Sequence, residues 1–531
     1  MLTDRRRLGA GLLLAVIVLA ALLRLPGLDQ RGSWDADQGH DMLVLQGLVT
    51  RGEVPLLGPP TSIGTFHHGA VYYYLLAPAA LVSGSDPIAV TGEIALLGIG
   101  AVLATWWLAR LIGGPIAGLL AALLAAVSPS GIDESTFIWN PNLVPLASAL
   151  AFAGAVQAHR SGRPRWWLLA GAGAMVTMQC HVLGGVIVPP LVVAWLLDLR
   201  ARRRSGRPAR PLLLAGLGAV AIIAAGFIPL AVSELGHGFA ETRAIVAYLA
   251  GGGGGDSAAL PVRLVLVLLR SLSWPLSGLL TDHPVAGLVA ATAVIVLGWV
   301  GWRADRHGTG RLVAGIAGAV AWSIAALALL APSLAVFTPG LPNDHYHAFL
   351  DPLVLVIAGC GLARLGVVLS AAARRGAPDA VGGVRRAAPL AAVGGLVAVL
   401  LVVEVATWPP SVAPDGGWRE ADATAATVVE RTRSAAGFIL VGIPAFKPAD
   451  ALAFPLVRRG LLPGAMPADA RSSDVLTVVV CDPLFDQADG AACGGPAEDR
   501  WASTVQPAPR LLDRIDGGSR RIVSIYEPGT P

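Results

Sequence analysis

The sequence predicts a polytopic α-helical membrane protein of about 11 transmembrane helices, alternatively 13, with juxtamembrane helices on its outer face and a small C-terminal exported α/β domain. Three observations carry that expectation. Hydrophobic residues make up 54% of the 531 and charged residues only 14%, with a mean hydropathy of +0.65; a soluble chain of this length has no use for so much apolar surface. The apolar residues fall in runs of about 20, the length that crosses a bilayer as a helix. Basic residues collect in a few short loops, as they do on the cytoplasmic side of membrane proteins. A net charge of +4 distributed this way is not a nucleic-acid patch. Lys447 is the only lysine, so nearly all positive charge is arginine. With the abundant Ala and Gly, this suggests a GC-rich bacterial genome.

Spans are expected near 8–26, 87–109, 114–130, 142–158, 166–182, 183–198, 211–232, 284–302, 311–333, 347–366 and 387–408. The N-terminus has a basic start and an apolar run, but no clean small-residue cleavage site before Arg24, so it reads as an uncleaved first helix. The loops 159–165, 199–210, 302–311 and 364–386 carry the arginines and are expected in the cytoplasm. Eleven crossings with the N-terminus inside satisfy all four loops, and leave the C-terminal tail outside. Two further apolar stretches, 67–84 and 260–280, then lie along the outer interface; the first carries three consecutive tyrosines after His67 and His68, the second Arg263 and Arg270. If both crossed there would be 13 spans. The localisation expected is the plasma (inner) membrane, with the N-terminus cytoplasmic and the C-terminal domain extracytoplasmic.

The expected domains are therefore 1–408 in the membrane and 409–531 outside it, divided after Pro409–Pro410. In the second, 418–435 reads as an amphipathic helix, and 437–443, 475–482 and 520–526 as short strands. Four cysteines are too few for a disulfide scaffold. Cys180 and Cys360 lie in apolar runs, whereas Cys481 and Cys493 can pair in an exported tail. The glycine run 251–256 is a linker or mobile loop and has none of the residues of a phosphate-binding fingerprint.

The outer loops concentrate polar groups at one depth. SWDADQGHDM, residues 33–42, packs Asp35, Asp37, His40 and Asp41 directly after a membrane helix. SPSGIDESTFIWNPN carries Asp133, Glu134, Trp139, Asn140 and Asn142, and TPGLPNDHYH carries Asn343, Asp344, His345, Tyr346 and His347. A loop carboxylate is usually a solvated surface group, and Glu53 and Asp133 read that way. Asp35 and Asp37 do not, because they follow the interfacial anchor Trp34 with no spacer into open water. Asp-x-Asp can place both carboxylates on a divalent cation such as Mg or Mn, or leave one as a base. His67, His68 and His345 can bind a phosphate at the membrane surface, and Arg243, Arg263 and Arg270 are alternative clamps. No spacing here demands zinc.

An acidic first outer loop, a Pro/Gly turn and an aromatic helix (GPPTSIGTFHHGAVYYYLLAPAAL), followed by WNPN and DHYHAFLDPLVLVIAGCGLARL, resemble the polyprenyl-phosphate-sugar-dependent glycosyltransferases of the C-type fold. Protein O-mannosyltransferases and the lipid A aminoarabinose transferase belong to that superfamily. The resemblance spans roughly 8–408 and implies a donor sugar on an isoprenoid phosphate at the outer leaflet. It implies that Asp35 or Asp37 is the general base of an inverting displacement. His67, His68, His345 and the arginines would then hold the leaving phosphate, and His40, Asp41, Tyr72, Trp139, Asn140, Asn142 and Tyr346 would contact substrate. The acceptor would be an envelope lipid, glycan or protein, as in cell wall biogenesis. The chain departs from its relatives in having Asp35-Ala36 and Asp37-Gln38 where Asp-Glu is common, and WNPN where an aspartate often stands. A transporter or flippase of lipid-linked sugars, or a non-catalytic envelope assembly protein, are the competing readings; a transporter would place ionisable groups near the middle of its spans.

Overall fold

A computed structural model describes residues 2–529 apart from 62–64, 251–257, 304–307, 337–342, 376–383, 434, 436, 446, 462–463, 465–474 and 517–520. The glycine run therefore lies outside the described residues. Each of the 11 expected spans coincides with a helix. Among the described residues 9 helices are long and apolar enough to cross a membrane, or 10 if the bent pair Arg210–Gly226 and Ile228–Gly236 counts as one span. The helices Pro115–Val127 and Trp166–Cys180 also fall on expected spans but have only 13 and 15 residues.

The two stretches expected at the interface part ways. Val71–Ser83 is a 13-residue helix, too short to cross. Leu260–Ser277 has the length and apolar composition of a span. Its Arg270 is 3% exposed and faces protein, where the Nε donates to Asp344 at 2.9 Å and Nη1 to the Leu334 carbonyl at 2.6 Å. An arginine paired in this way does not need the headgroup layer.

The first outer loop is organised by its own sequence. Asp35 caps the helix Ala36–Arg51. Its carboxylate accepts the Asp37 N–H at 2.7 Å while Gln38 Oε1 accepts the Asp35 N–H at 2.8 Å, a reciprocal capping box. Gly52, at φ 68°, ends the helix in the left-handed conformation that a side chain would oppose. The loop is also tied to the bundle. Arg24, the last residue of the first helix, donates to the Ala126 and Ala125 carbonyls at 2.7 and 3.0 Å and to Ser135 Oγ at 3.2 Å.

The C-terminal domain contains the helix Gly417–Thr432 and a sheet of four strands, β1 (Gly437–Ile443), β2 (Val475–Cys481), β3 (Arg510–Asp516) and β4 (Ile522–Glu527), in the order β1-β2-β4-β3. β1 and β2 are parallel and joined across the helix Asp450–Arg458, while β4 runs antiparallel to both β2 and β3. Val428, Phe438, Leu452, Leu456, Val478 and Ile525 pack beneath the sheet. β3 has no counterpart in the sequence reading: its RLLDRID is an exposed edge that lacks the apolar run of a buried strand. Cys481 and Cys493 are disulfide-bonded, as their spacing allowed.

Candidate active site

Asp35 and Asp37 project from the start of the helix Ala36–Arg51, one as its cap and the other in its first turn. Their surroundings differ. The Asp35 carboxylate accepts backbone N–H groups of its own capping turn. Asp37 Oδ1 lies 2.9 Å from the Lys447 Nζ. Burial of its inner side and the neighbouring Asp35 push the Asp37 pKa up, and Lys447 opposes that rise. His40 Nδ1 meets Asp450 Oδ2 at 3.1 Å, a bond that raises the imidazole pKa against the effect of burial. Asp41 is buried, its two oxygens accepting the Tyr72 and Tyr73 hydroxyls at 2.7 and 2.8 Å. Burial pushes its carboxyl up to about 7, with the tyrosines and His40 pulling the other way. Both tyrosines come from the short helix Val71–Ser83, so Asp41 pins that helix to the acidic loop.

A second cluster is built from imidazoles. The His68 and His181 rings lie 5.1 Å apart, His181 and His345 5.7 Å apart, and Trp139 stacks on His345 at 4.3 Å. Tyr346 packs on His181 at 5.2 Å. These residues come from the first, second and last outer loops and from the turn after Trp166–Cys180. His68 and His181 are held well below the ordinary imidazole range, mainly by burial and then by the other histidines around them, which favours the neutral form of each ring. The Nδ1 of His68 and the Nε2 of Gln179 are buried without a hydrogen-bond partner. Gly69, whose N–H donates to the Gln179 carbonyl at 2.8 Å, fits there because a Cβ would sit 1.9 Å from Gln179 Oε1. Orphaned polar atoms at a convergence of loops are what a polar ligand would satisfy. Gln179 and His181 fall at the end of the expected span 166–182. Their one available signal was that position, at the same end as the outer loops.

The remaining expected residues divide. His67 is paired with Glu241, through its N–H at 2.7 Å and Nδ1 at 2.9 Å, next to the third outer loop. Arg243 stands on the same helix as Glu241, Ala240–Ala250, and donates to the Gly238 carbonyl. Arg263 keeps its Nε buried without a partner. Arg270 is not placed to clamp a substrate phosphate, since its guanidinium is engaged by Asp344 and Leu334 inside the protein. Asn140 Nδ2 donates to the Cys180 carbonyl at 2.5 Å and Asn142 Nδ2 to the Phe137 carbonyl at 2.8 Å, so both brace the second loop. Asn142 Oδ1 remains unpaired and lines a small recess, of about 40 Å³, together with Glu134 and Asp351.

The acidic pair does not fit a divalent cation as it stands. One oxygen of Asp35 accepts the Asp37 N–H and one of Asp37 accepts the Lys447 ammonium, which already supplies positive charge at that point. Among the described residues no group of three or more His, Cys, Asp or Glu side chains converges to hold a metal ion.

Residues 67–228 match the model of the dolichyl-phosphate-mannose-protein mannosyltransferase family. No curated protein matches the chain. Among solved structures it is similar to ArnT from Cupriavidus metallidurans in the apo state, with a TM-score of 0.60 and 14% identity, covering 97% of this chain and 98% of that one. The same protein bound to undecaprenyl phosphate gives 0.58 at 14% identity, again over 97% and 98%. The archaeal oligosaccharyltransferase AglB from Archaeoglobus fulgidus, in complex with an inhibitory peptide and a dolichol-phosphate, gives 0.54 at 13% identity, covering 91% of this chain and 70% of that one. The chain thus has the fold of the C-type membrane glycosyltransferases, to which the sequence resemblance pointed, and part of it matches a family of that class. It is a multi-pass membrane protein by its apolar helices.

Proposed function

We propose that the protein transfers a sugar from a polyprenyl-phosphate donor to an envelope lipid, glycan or protein acceptor at the outer face of the membrane, with inversion at the anomeric carbon. The observation that carries this reading is the carboxylate pair presented by a short helix, beside a cluster of buried imidazoles in which His68 Nδ1 is unpaired, on a fold whose neighbours include structures bound to undecaprenyl phosphate and dolichol-phosphate. Asp35 or Asp37 removes the acceptor hydroxyl proton as the oxygen attacks the anomeric carbon. The bond from that carbon to the phosphate oxygen breaks, and the phosphate leaves with the electron pair. His68, His181 and Gln179 offer hydrogen bonds to the polar part of the donor, and Arg243 and Arg263 offer charge to its phosphate.

The transporter reading is less favoured. Most buried ionisable groups of the described spans stand toward their ends, with Arg24 closing its helix, Asp351 opening its own and Glu404 two residues from the end of Val384–Ala406; Arg270, inside Leu260–Ser277, is paired with Asp344. The test supplies polyprenyl-phosphate sugars at the outer leaflet of liposomes containing wild type, Asp35→Asn or Asp37→Asn. Loss of a general base lowers turnover by about 10²–10⁴. Transfer that survives both substitutions removes the base assignment, and donor movement across the bilayer without transfer favours a flippase.

A further inference from the structure

The C-terminal domain reaches into the candidate site, and what it brings there is the single lysine of the chain. Lys447 follows β1, with its ammonium 2.9 Å from Asp37 Oδ1 and 5.3 Å from the centre of the Phe485 ring. Its side chain is only 21% exposed. A lysine on a loose surface loop loses more in side-chain freedom than such a pair returns. This one is held by its backbone. The segment that follows it is fixed to the acidic loop by Trp34 Nε1, which donates to the Ala451 carbonyl at 2.9 Å, and by the bond between His40 and Asp450 at 3.1 Å. Arg521 donates to the Trp34 carbonyl and pairs with Asp415 at 3.2 Å, while Asp415 accepts the Trp34 N–H at 2.7 Å. Gly39 lets the helix approach so closely that a Cβ there would lie 2.0 Å from the Asp450 carbonyl oxygen.

With the lysine in place the two aspartates are not equivalent. The bonds of the Asp35 carboxylate come from neutral backbone N–H groups, whereas Asp37 shares a bond with a full positive charge. The ammonium lowers the proton affinity of Asp37 against the rise that burial and Asp35 impose, since protonating the carboxylate forfeits the ion pair. The charged groups that act on the ammonium are Asp35 and Asp37 at the start of the acidic helix and Asp482 after β2; beyond them His40 acts on Asp37, Asp450 bonds His40, and Arg521 pairs with Asp482 at 3.8 Å.

We propose that Lys447 is a positioning residue of the transfer reaction, supplied by the C-terminal domain: its ammonium bonds Asp37, lies within charge reach of Asp35, and so supplies the positive charge that holds the acidic pair in place for proton transfer. This rests on the glycosyltransferase reading of the site. The experiment therefore has one arm that needs activity and one that does not. In liposomes with a polyprenyl-phosphate sugar, the acidic limb of the kcat/KM profile of Lys447→Met moves to higher pH by about one unit, and Lys447→Arg restores it. The loss falls on kcat more than on KM. In the second arm the full-length protein without substrate is treated with an amine-acylating reagent, and modification of the Lys447 peptide is followed by mass spectrometry. Asp37→Asn accelerates that modification about tenfold, because the free amine becomes more populated once its anionic partner is gone. Equal labelling rates in wild type and Asp37→Asn, or a Lys447→Met enzyme with the wild-type pH profile, overturn the proposal. Accelerated labelling in Asp37→Asn, together with a wild-type protein that transfers no sugar from any donor, overturns the glycosyltransferase reading and the catalytic part of the role with it.

Discussion

Asp41 shows how one residue ties a local helix to the site. Both its oxygens accept tyrosine hydroxyls, and its carboxyl pKa rises from 3.8 to about 7 because burial disfavours the charge. The sign of its effect on stability follows from linkage. Below about pH 4 the carboxyl is protonated folded and unfolded, and it contributes nothing to pH dependence. Between there and about pH 7 the unfolded chain releases a proton that the folded protein retains, so stability falls as pH rises. Asp41→Asn is expected to flatten the dependence of Tm on pH across that window in detergent micelles. It should also destabilise the protein by about 1–3 kcal/mol, because an amide leaves one tyrosine hydroxyl without its acceptor. A Tm slope as steep as wild type between pH 4 and 7 would assign the dependence to other groups.

At the scale of elements, the contact between the helix Ala36–Arg51 and the helix Asp450–Arg458 matters most to the site. Gly39 is its closest point. Gly39→Ala drives a methyl against the Asp450 carbonyl, an overpacking cost of about 1–3 kcal/mol that the interface must relieve by separating. The expected result is faster proteolysis of the chain after Thr407, with the membrane helices unaffected, and slower sugar transfer. The same substitution at Gly52, where φ is 68° but nothing lies within 4 Å of a new Cβ, strains the helix end and leaves the domain docked. A protease pattern identical for the two variants would show that the contact at Gly39 does not hold the domain.

Across the whole molecule, the boundary between membrane part and exported domain is not a linker between independent bodies. Ala451 and Phe454 pack with Trp34 and the membrane helices, and not with the residues beneath the sheet. Trp34 lies 4.6 Å from Trp418 and 5.8 Å from Phe454, ring centre to ring centre. The distal side of the domain depends instead on the Cys481–Cys493 bond, which closes a short loop of sequence separation 12. Loop closure of that length is worth about 3 kcal/mol. Cys493→Ser should lower the midpoint of domain unfolding, read by proteolysis of the tail, and change transfer little. A large loss of transfer would mean that the far side of the sheet also supports Lys447.

Hydropathy runs and loop arginines act within some twenty residues of chain, and what they govern was legible in the sequence: a helix at every expected span. Contacts between groups far apart in the chain leave no such local mark. The burial of Arg270 against Asp344 is one such contact, because an ion pair cancels the polarity that hydropathy counts. The approach of His181 to His68 and His345 depends on three separate loops meeting. The pairing of Lys447 with Asp37, 410 residues apart in the chain, exists only once the exported domain has docked. Short-range order thus came from the order of the residues themselves, and the electrostatic partners of the site from the tertiary structure, because a charge is tuned by what lies within a few ångströms and not by what is adjacent in sequence.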